Sequence, residues 1–359
     1  MNKVCALLVA AVATSSFAQD LDRIPVYHGN NDQFGEIRIW GNETMLKMLT
    51  AWELGIHEEQ RGLRFSDTLP SGAAAIGGLY TGVADIGLMG HHQWPMETLA
   101  FHEVFGYDPL EIMVASGAYD VPAKMPPNII FVNQANPLKG LTLKQLDGIF
   151  GSERTGGWVD AQWSTASARI TKDNIRTWGQ LGLKGDWADK PIHIYGYDLS
   201  GNSFCLSMQR MVMGGGDLWN PALHESALNE VGRLLSAGPR PPQGCETIAA
   251  LLARDPYGIA YTAAQCVRKT PQVRAVPLAE RDGMPYVEAS RENMLNRTYP
   301  LVEGIYVYIN RPPGKPVEPK LKEFLKYILS RHGQEDVLAD EGYLPLPADV
   351  VAQELKKLD

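Results

Sequence analysis

Apolar and polar residues alternate through Ile37-Arg38-Ile39-Trp40, and the run stops at Gly41. Beyond a polar stretch, Met45, Met48, Leu49, Trp52 and Ile56 recur at the three- and four-residue spacing of a helix face. The pattern predicts a strand, a turn at Gly41-Asn42-Glu43-Thr44 and a helix over 45–59, with Asn42 or Thr44 as its cap. The same switch then repeats. Leu63-Arg64-Phe65 reads as a strand before Pro70-Ser71-Gly72, a helix follows over 74–81, and residues 84–89 form a third short strand. Units alternating in this way predict an α/β protein whose parallel sheet carries helices on both faces.

A second series begins at Ile129-Ile130-Phe131-Val132, and Thr142 caps a short helix that ends at Phe150. Residues 151–173 are rich in Gly, Ser and Thr with no period, which predicts a surface loop. The strand over 191–195 leads into Leu199-Ser200-Gly201-Asn202-Ser203 and a helix over 203–213. Further strands are expected at 258–261 and 305–309, and a helix over 321–330.

The chain has 359 residues, more than one compact core accommodates, which suits two domains. A net charge of −8 argues against nucleic acid or an acidic membrane as partner. It leaves a small anion open, because such sites use local dipoles. Residues 1–18 read as an export signal: Lys3, the apolar run from Val4 to Ala13, and Ser16-Phe17-Ala18 as a small-x-small cleavage pattern. Cys5 lies inside that apolar run, so it is not read as a lipoprotein cysteine. The expectation is an exported, soluble protein. Of the remaining cysteines, either Cys245 and Cys266 are bridged with Cys205 left over, or all three are buried thiols.

Two turns hold the candidate chemistry. Ser71-Gly72 and Ser200-Gly201 each open a helix, offering free N–H groups, a hydroxyl and the positive end of a helix dipole. Together they suggest an oxyanion held between two lobes. No Gly-x-Ser-x-Gly elbow, P-loop or run of metal ligands is present, so no catalytic residue, cofactor or metal is expected. His91 and His92 admit three readings: a metal site, an anion contact or a structural role. The tryptophans at 94, 158, 163, 178, 187 and 219 read mostly as core, with stacking on an organic ligand as the alternative.

Ordered along the chain, these pieces resemble a known family. They are Ser71-Gly72, Gly82-Val83-Ala84-Asp85-Ile86-Gly87, Asn133 to Leu138, Leu141 to Leu146, Ile149-Phe150-Gly151, Arg176-Thr177-Trp178 and Ser200-Gly201-Asn202. Tyr299-Pro300-Leu301, Gly333-Gln334 and Gly342 to Leu346 complete the set. The chain resembles the phosphate-binding periplasmic receptors of ABC transporters, of the type II periplasmic binding protein fold. The resemblance implies two α/β lobes joined by two crossover strands, near 108–116 and 299–309. Lobe one would be 19–110 with 305–359, and lobe two 111–304. It implies a monomer that captures phosphate or a related oxyanion and delivers it to an inner-membrane ABC permease. Thr44, Ser71, Gly72, Ser200, Gly201 and Asn202 would donate hydrogen bonds, with Asn42 and His92 as further candidates. Asp85 would accept a proton from the ligand and so discriminate against sulfate; its bland alternative is a turn residue beside a buried strand.

Three features depart from the family's pattern. No Arg precedes the second Ser-Gly, Asn202 stands where the family has Thr, and Gly90-His91-His92 replaces a Ser-Arg pair. They leave open a different small or organic ligand on the same fold. A sensor or adhesion role is the remaining alternative.

Overall fold

The computed structural model describes residues 20–29, 32–122, 124–159, 161–199, 202–227, 244–340 and 342–359. The expected export segment 1–18 lies outside these residues, as do Ser200 and Gly201 of the second turn.

The first half runs β1 (Gly35–Gly41), α1 (Leu46–Glu59), β2 (Leu63–Thr68), α2 (Ala74–Tyr80), β3 (Ile86–Met89), α3 (Pro95–Phe105) and β4 (Leu110–Ser116). There follow β5 (Ile129–Asn133), β6 (Leu141–Thr142), α4 (Leu143–Phe150), β7 (Gly157–Val159), β8 (Gln162–Ser164), β9 (His193–Tyr197) and α5 (Ser203–Met211). Next come β10 (Leu223–Ser226), α6 (Cys245–Arg254), β11 (Gly258–Thr262), α7 (Ala264–Val267), β12 (Val273–Ala275), β13 (Leu278–Ala279) and α8 (Arg291–Leu295). The chain closes with β14 (Gly304–Ile309), α9 (Pro319–Ile328), α10 (Arg331–Ala339) and α11 (Ala348–Lys356).

Among the described residues these strands form two five-stranded sheets, ordered β2-β1-β3-β14-β4 and β10-β9-β11-β5-β12. In the first, β1, β2 and β3 are parallel, while β14 runs antiparallel to β3 and β4. Every residue of β14 is buried, as a strand with helices on both faces must be. One face packs on α1 and the C-terminal helices through Trp52, Phe324 and Ile328; the other packs on α2 and α3 through Ile76 and Phe101.

β4 pairs with β14 in this sheet, so the chain passes to the second sheet after Ser116 and returns just before Gly304. The two passages touch: Gly117 N donates to Glu303 O at 2.9 Å, and Arg297 Nη1 to Ser116 Oγ at 2.7 Å.

The 151–173 segment is more ordered than its composition suggests. β7 and β8 form an antiparallel ribbon, with Trp158 opposite Trp163. Beneath it Asp147 takes a two-pronged ion pair from Arg154, at 2.8 and 2.7 Å, and a further one from Arg169. Strands of three residues are too short for alternation to register, and buried charges rather than apolar residues order this segment. Cys245 and Cys266 are bridged, tying α6 to α7, while Cys205 is a free, buried thiol.

Candidate functional site

In open α/β sheets ligands collect outside the carboxyl ends of the parallel strands. Here those ends are Asn42 after β1, Ser71-Gly72 after β2 and His91 after β3. Asn42 bridges to Pro70, and Ser71 N donates to Gly41 O at 3.0 Å, which draws the first two loops together. A Cβ placed on Gly72 would stand 3.5 Å from His91 Nε2 and 3.7 Å from Asn42 Nδ2. Three loops therefore converge on one point.

Asn42 caps the 3-10 turn Glu43–Met45 that leads into α1, accepting at Oδ1 from Thr44 N (2.9 Å) and Thr44 Oγ1 (2.8 Å). That fixes the amide so that Nδ2 faces Gly72. Thr44 is thereby committed: its N–H serves the cap, and its hydroxyl also meets Tyr343 OH at 2.9 Å. Lys124 donates to Thr44 O at 3.1 Å, pairs with the buried Asp340 and lies over the Tyr343 ring. Thr44 positions Asn42 rather than offering a free donor. Ser71 Oγ accepts from Ala73 N at 3.2 Å, while no other described residue takes the Gly72 N–H.

His91 is 8 % exposed. Its Nδ1 lies 2.6 Å from the carbonyl of His92, which only accepts, so Nδ1 carries the hydrogen and Nε2 keeps a lone pair. Burial lowers its pKa to about 4, so the ring is neutral at physiological pH. His91 thus enters the site as a neutral acceptor rather than as a cation in place of the missing Arg. Across from it, a small cavity places Gly90 and His91 against Ser203, Phe204 and Ser207 of α5. Asn202 opens that helix, with Oδ1 accepting from Cys205 N (3.1 Å) and Nδ2 donating to Asp198 O (2.7 Å). Its amide is consumed by the cap. No described residue takes the Ser203 or Phe204 N–H.

Two expected residues fall elsewhere. His92 points away from this point into a buried network: Nδ1 is 2.7 Å from Glu111 Oε2 and Nε2 is 2.6 Å from Tyr306 OH. Asp85 lies at the start of β3, four residues or roughly 13 Å from that strand's carboxyl end. Its carboxylate accepts from Arg38 N (2.9 Å), Nε (3.1 Å) and Nη2 (2.7 Å), with Lys320 Nζ at 3.9 Å. Burial raises the Asp85 pKa, but the Arg38 hydrogen bonds outweigh it and the net shift is downward. Asp85 clamps β3 to β1, away from the converged loops. Asp85→Asn should therefore leave the preference between phosphate and sulfate unchanged in competition assays. Because 39 % of the Arg38 side chain is exposed, water screens the pair and the stability lost in denaturant titration should be about 1 kcal/mol. A change in preference would return Asp85 to the site.

Residues 31–332 match the PBP superfamily domain. The phosphate-binding protein PstS of Pseudomonas aeruginosa, in strains PAO1 and UCBPP-PA14, is 30 % identical over 352 residues, covering 98 % of this chain and 96 % of that protein. This chain belongs to the PBP superfamily and, within it, to the PstS family. The crystal structure of PstS from Borrelia burgdorferi overlays with a TM-score of 0.51 at 13 % identity, covering 87 % of this chain and 98 % of that one. At that identity it bears on fold alone, and it agrees with the two sheets described above. No helix of the described residues is long and apolar enough to cross a membrane.

Proposed function

We infer that this chain is a periplasmic receptor, divided into lobes at 20–116 with 304–359 and at 117–303. It captures phosphate between them and passes it to an ABC permease. The observation that carries the reading is the convergence of Asn42, Gly72 and His91 opposite the open first turn of α5. Asn42 Nδ2 and the N–H groups of Gly72, Ser203 and Phe204 donate to the oxyanion, each bond strengthened by the ligand's charge. His91 Nε2 is the acceptor in this set. It favours an oxyanion that still carries a proton and disfavours sulfate, which has none to give. The missing Arg is then no contradiction, since neutral donors at turn and helix starts suffice for an anion. Among the described residues the arrangement offers donors and one acceptor, with no serine hydrogen-bonded to His91, which supports binding over catalysis.

The test is isothermal titration of protein unfolded, stripped of ligand and refolded. Phosphate should bind with micromolar or tighter affinity and sulfate at least about a hundredfold more weakly. Absence of heat with phosphate at micromolar protein would overturn the reading.

A further inference from the structure

Beside the converged loops lies a cavity of about 290 Å³ that begins at His91 and runs between Trp94-Pro95 and Trp158, with Leu206 and Arg210 along one side. It approaches the lower end of the ~300–1,000 Å³ range of small-molecule sites, and is large for a bare tetrahedral oxyanion. We propose that this cavity receives the organic arm of a small phosphonate or phosphomonoester that bears a carboxylate, its oxyanion seated at Asn42, Gly72 and His91. The inference rests on the phosphate reading above.

The aromatic walls are fixed in place. Trp94 stacks on His91 at 5.8 Å between ring centroids. On the opposite side the β7–β8 ribbon rests directly on the turn after α5, with Trp158 N donating to Gly215 O at 2.9 Å. A Cβ on Gly215 would stand 1.8 Å from Trp158 O, so glycine alone lets the ribbon sit that close and hold the indole at the cavity. The space is thus held open by backbone contacts rather than by a mobile side chain.

The polar lining decides the charge of the occupant. Arg210, on the last turn of α5, makes no hydrogen bond or ion pair with any described residue. Gln93 Oε1 and Trp94 Nε1 are buried without partners. The two carboxylates on the lining are already engaged. Glu111 accepts from Tyr308 OH at 2.5 Å and meets His92 Nδ1 at 2.7 Å, and Glu303 accepts from Ser207 Oγ at 2.6 Å. An incoming carboxylate meets an unpaired guanidinium and an unpaired N–H. An incoming ammonium could use Gln93 Oε1 but would face the Arg210 guanidinium as a like charge and leave the indole N–H unmatched.

Titration calorimetry with inorganic phosphate, phosphonoacetate and 2-aminoethylphosphonate on the wild type, Arg210→Gln and Leu206→Trp tests this. Phosphonoacetate should bind the wild type within about tenfold of phosphate and more tightly than 2-aminoethylphosphonate. Arg210→Gln should weaken phosphonoacetate by about tenfold or more and leave phosphate unchanged. Leu206→Trp should exclude phosphonoacetate, and retained phosphate binding shows that the variant is folded. Three results overturn the inference while the phosphate reading stands. Phosphonoacetate fails where phosphate binds; 2-aminoethylphosphonate binds the tighter of the two; or both variants treat phosphate and phosphonoacetate alike. Failure of phosphate itself on the wild type overturns the phosphate reading, and this inference with it.

Discussion

Gly72→Ala will weaken phosphate binding by about a hundredfold while leaving the protein folded. The added methyl would lie 3.5 Å from His91 Nε2 and 3.7 Å from Asn42 Nδ2, distances of ordinary contact, so the free protein needs no repacking. Alanine also restricts the unfolded chain, worth about 0.4–1 kcal/mol in favour of folding where the backbone is unstrained. The ligand fares differently. The methyl takes the space where an oxygen would reach the Gly72 N–H and the Asn42 amide together. Losing two charge-assisted bonds at about 1.5 kcal/mol each amounts to roughly two decades of affinity. Calorimetry on the variant, with thermal unfolding alongside, checks both halves. Phosphate affinity within tenfold of the wild type would show that the oxyanion sits elsewhere.

His91→Gln will act on selectivity and on acid stability at once. Glutamine can turn an N–H toward the ligand where His91 Nε2 offers only a lone pair. The ratio of phosphate to sulfate affinity should therefore fall by about tenfold or more. The second effect comes from linkage. His91 has its pKa lowered from 6.5 to about 4 by burial, so between those values the unfolded chain binds a proton that the folded one refuses. Stability is full above pH 6.5 and declines as pH falls toward 4, by about 3 kcal/mol at this residue. Urea midpoints across that window should fall more steeply for the wild type than for His91→Gln. Equal slopes would mean that the imidazole is not held neutral by its surroundings.

The order of strands and helices was legible because both periods repeat cleanly. Ile37 and Ile39 alternate, Met45 to Ile56 keep helical spacing, and Asn42 and Thr142 are caps in the structure as in the pattern. The candidate site was legible in part. Gly72 and Asn42 stand out as turn residues after strands, and turns at carboxyl ends are where an α/β fold gathers its ligand. That same rule sets Asp85 aside, since Asp85 precedes the apolar run of its strand rather than following it. Its chemistry suggested a proton acceptor while its place on the strand did not. Choosing between His91 and His92 was beyond pattern reasoning. β3 ends at Met89, and past that point alternation no longer tells which neighbour faces the other loops. Thr44 and Asn202 have the right chemistry, but only the bonds made within each turn show that both are spent on capping. The 151–173 segment hid its order for a related reason, because the Asp147–Arg154–Arg169 cluster joins residues that no local period connects.

The bond from Gly117 to Glu303 has a mechanical consequence. Two chain segments running side by side behave like the two pins of a door. They permit swinging about the line that joins them, and they oppose twisting or sliding of one leaf across the other. A single connection would leave the leaves free to meet in many orientations, with entropy lost each time they found the right one. Pinned twice, α5 has one orientation in which to meet the Asn42–Gly72–His91 corner. Most of the ordering that tight capture of a small ion demands is therefore done once, when the chain folds, and need not be repeated at each binding event.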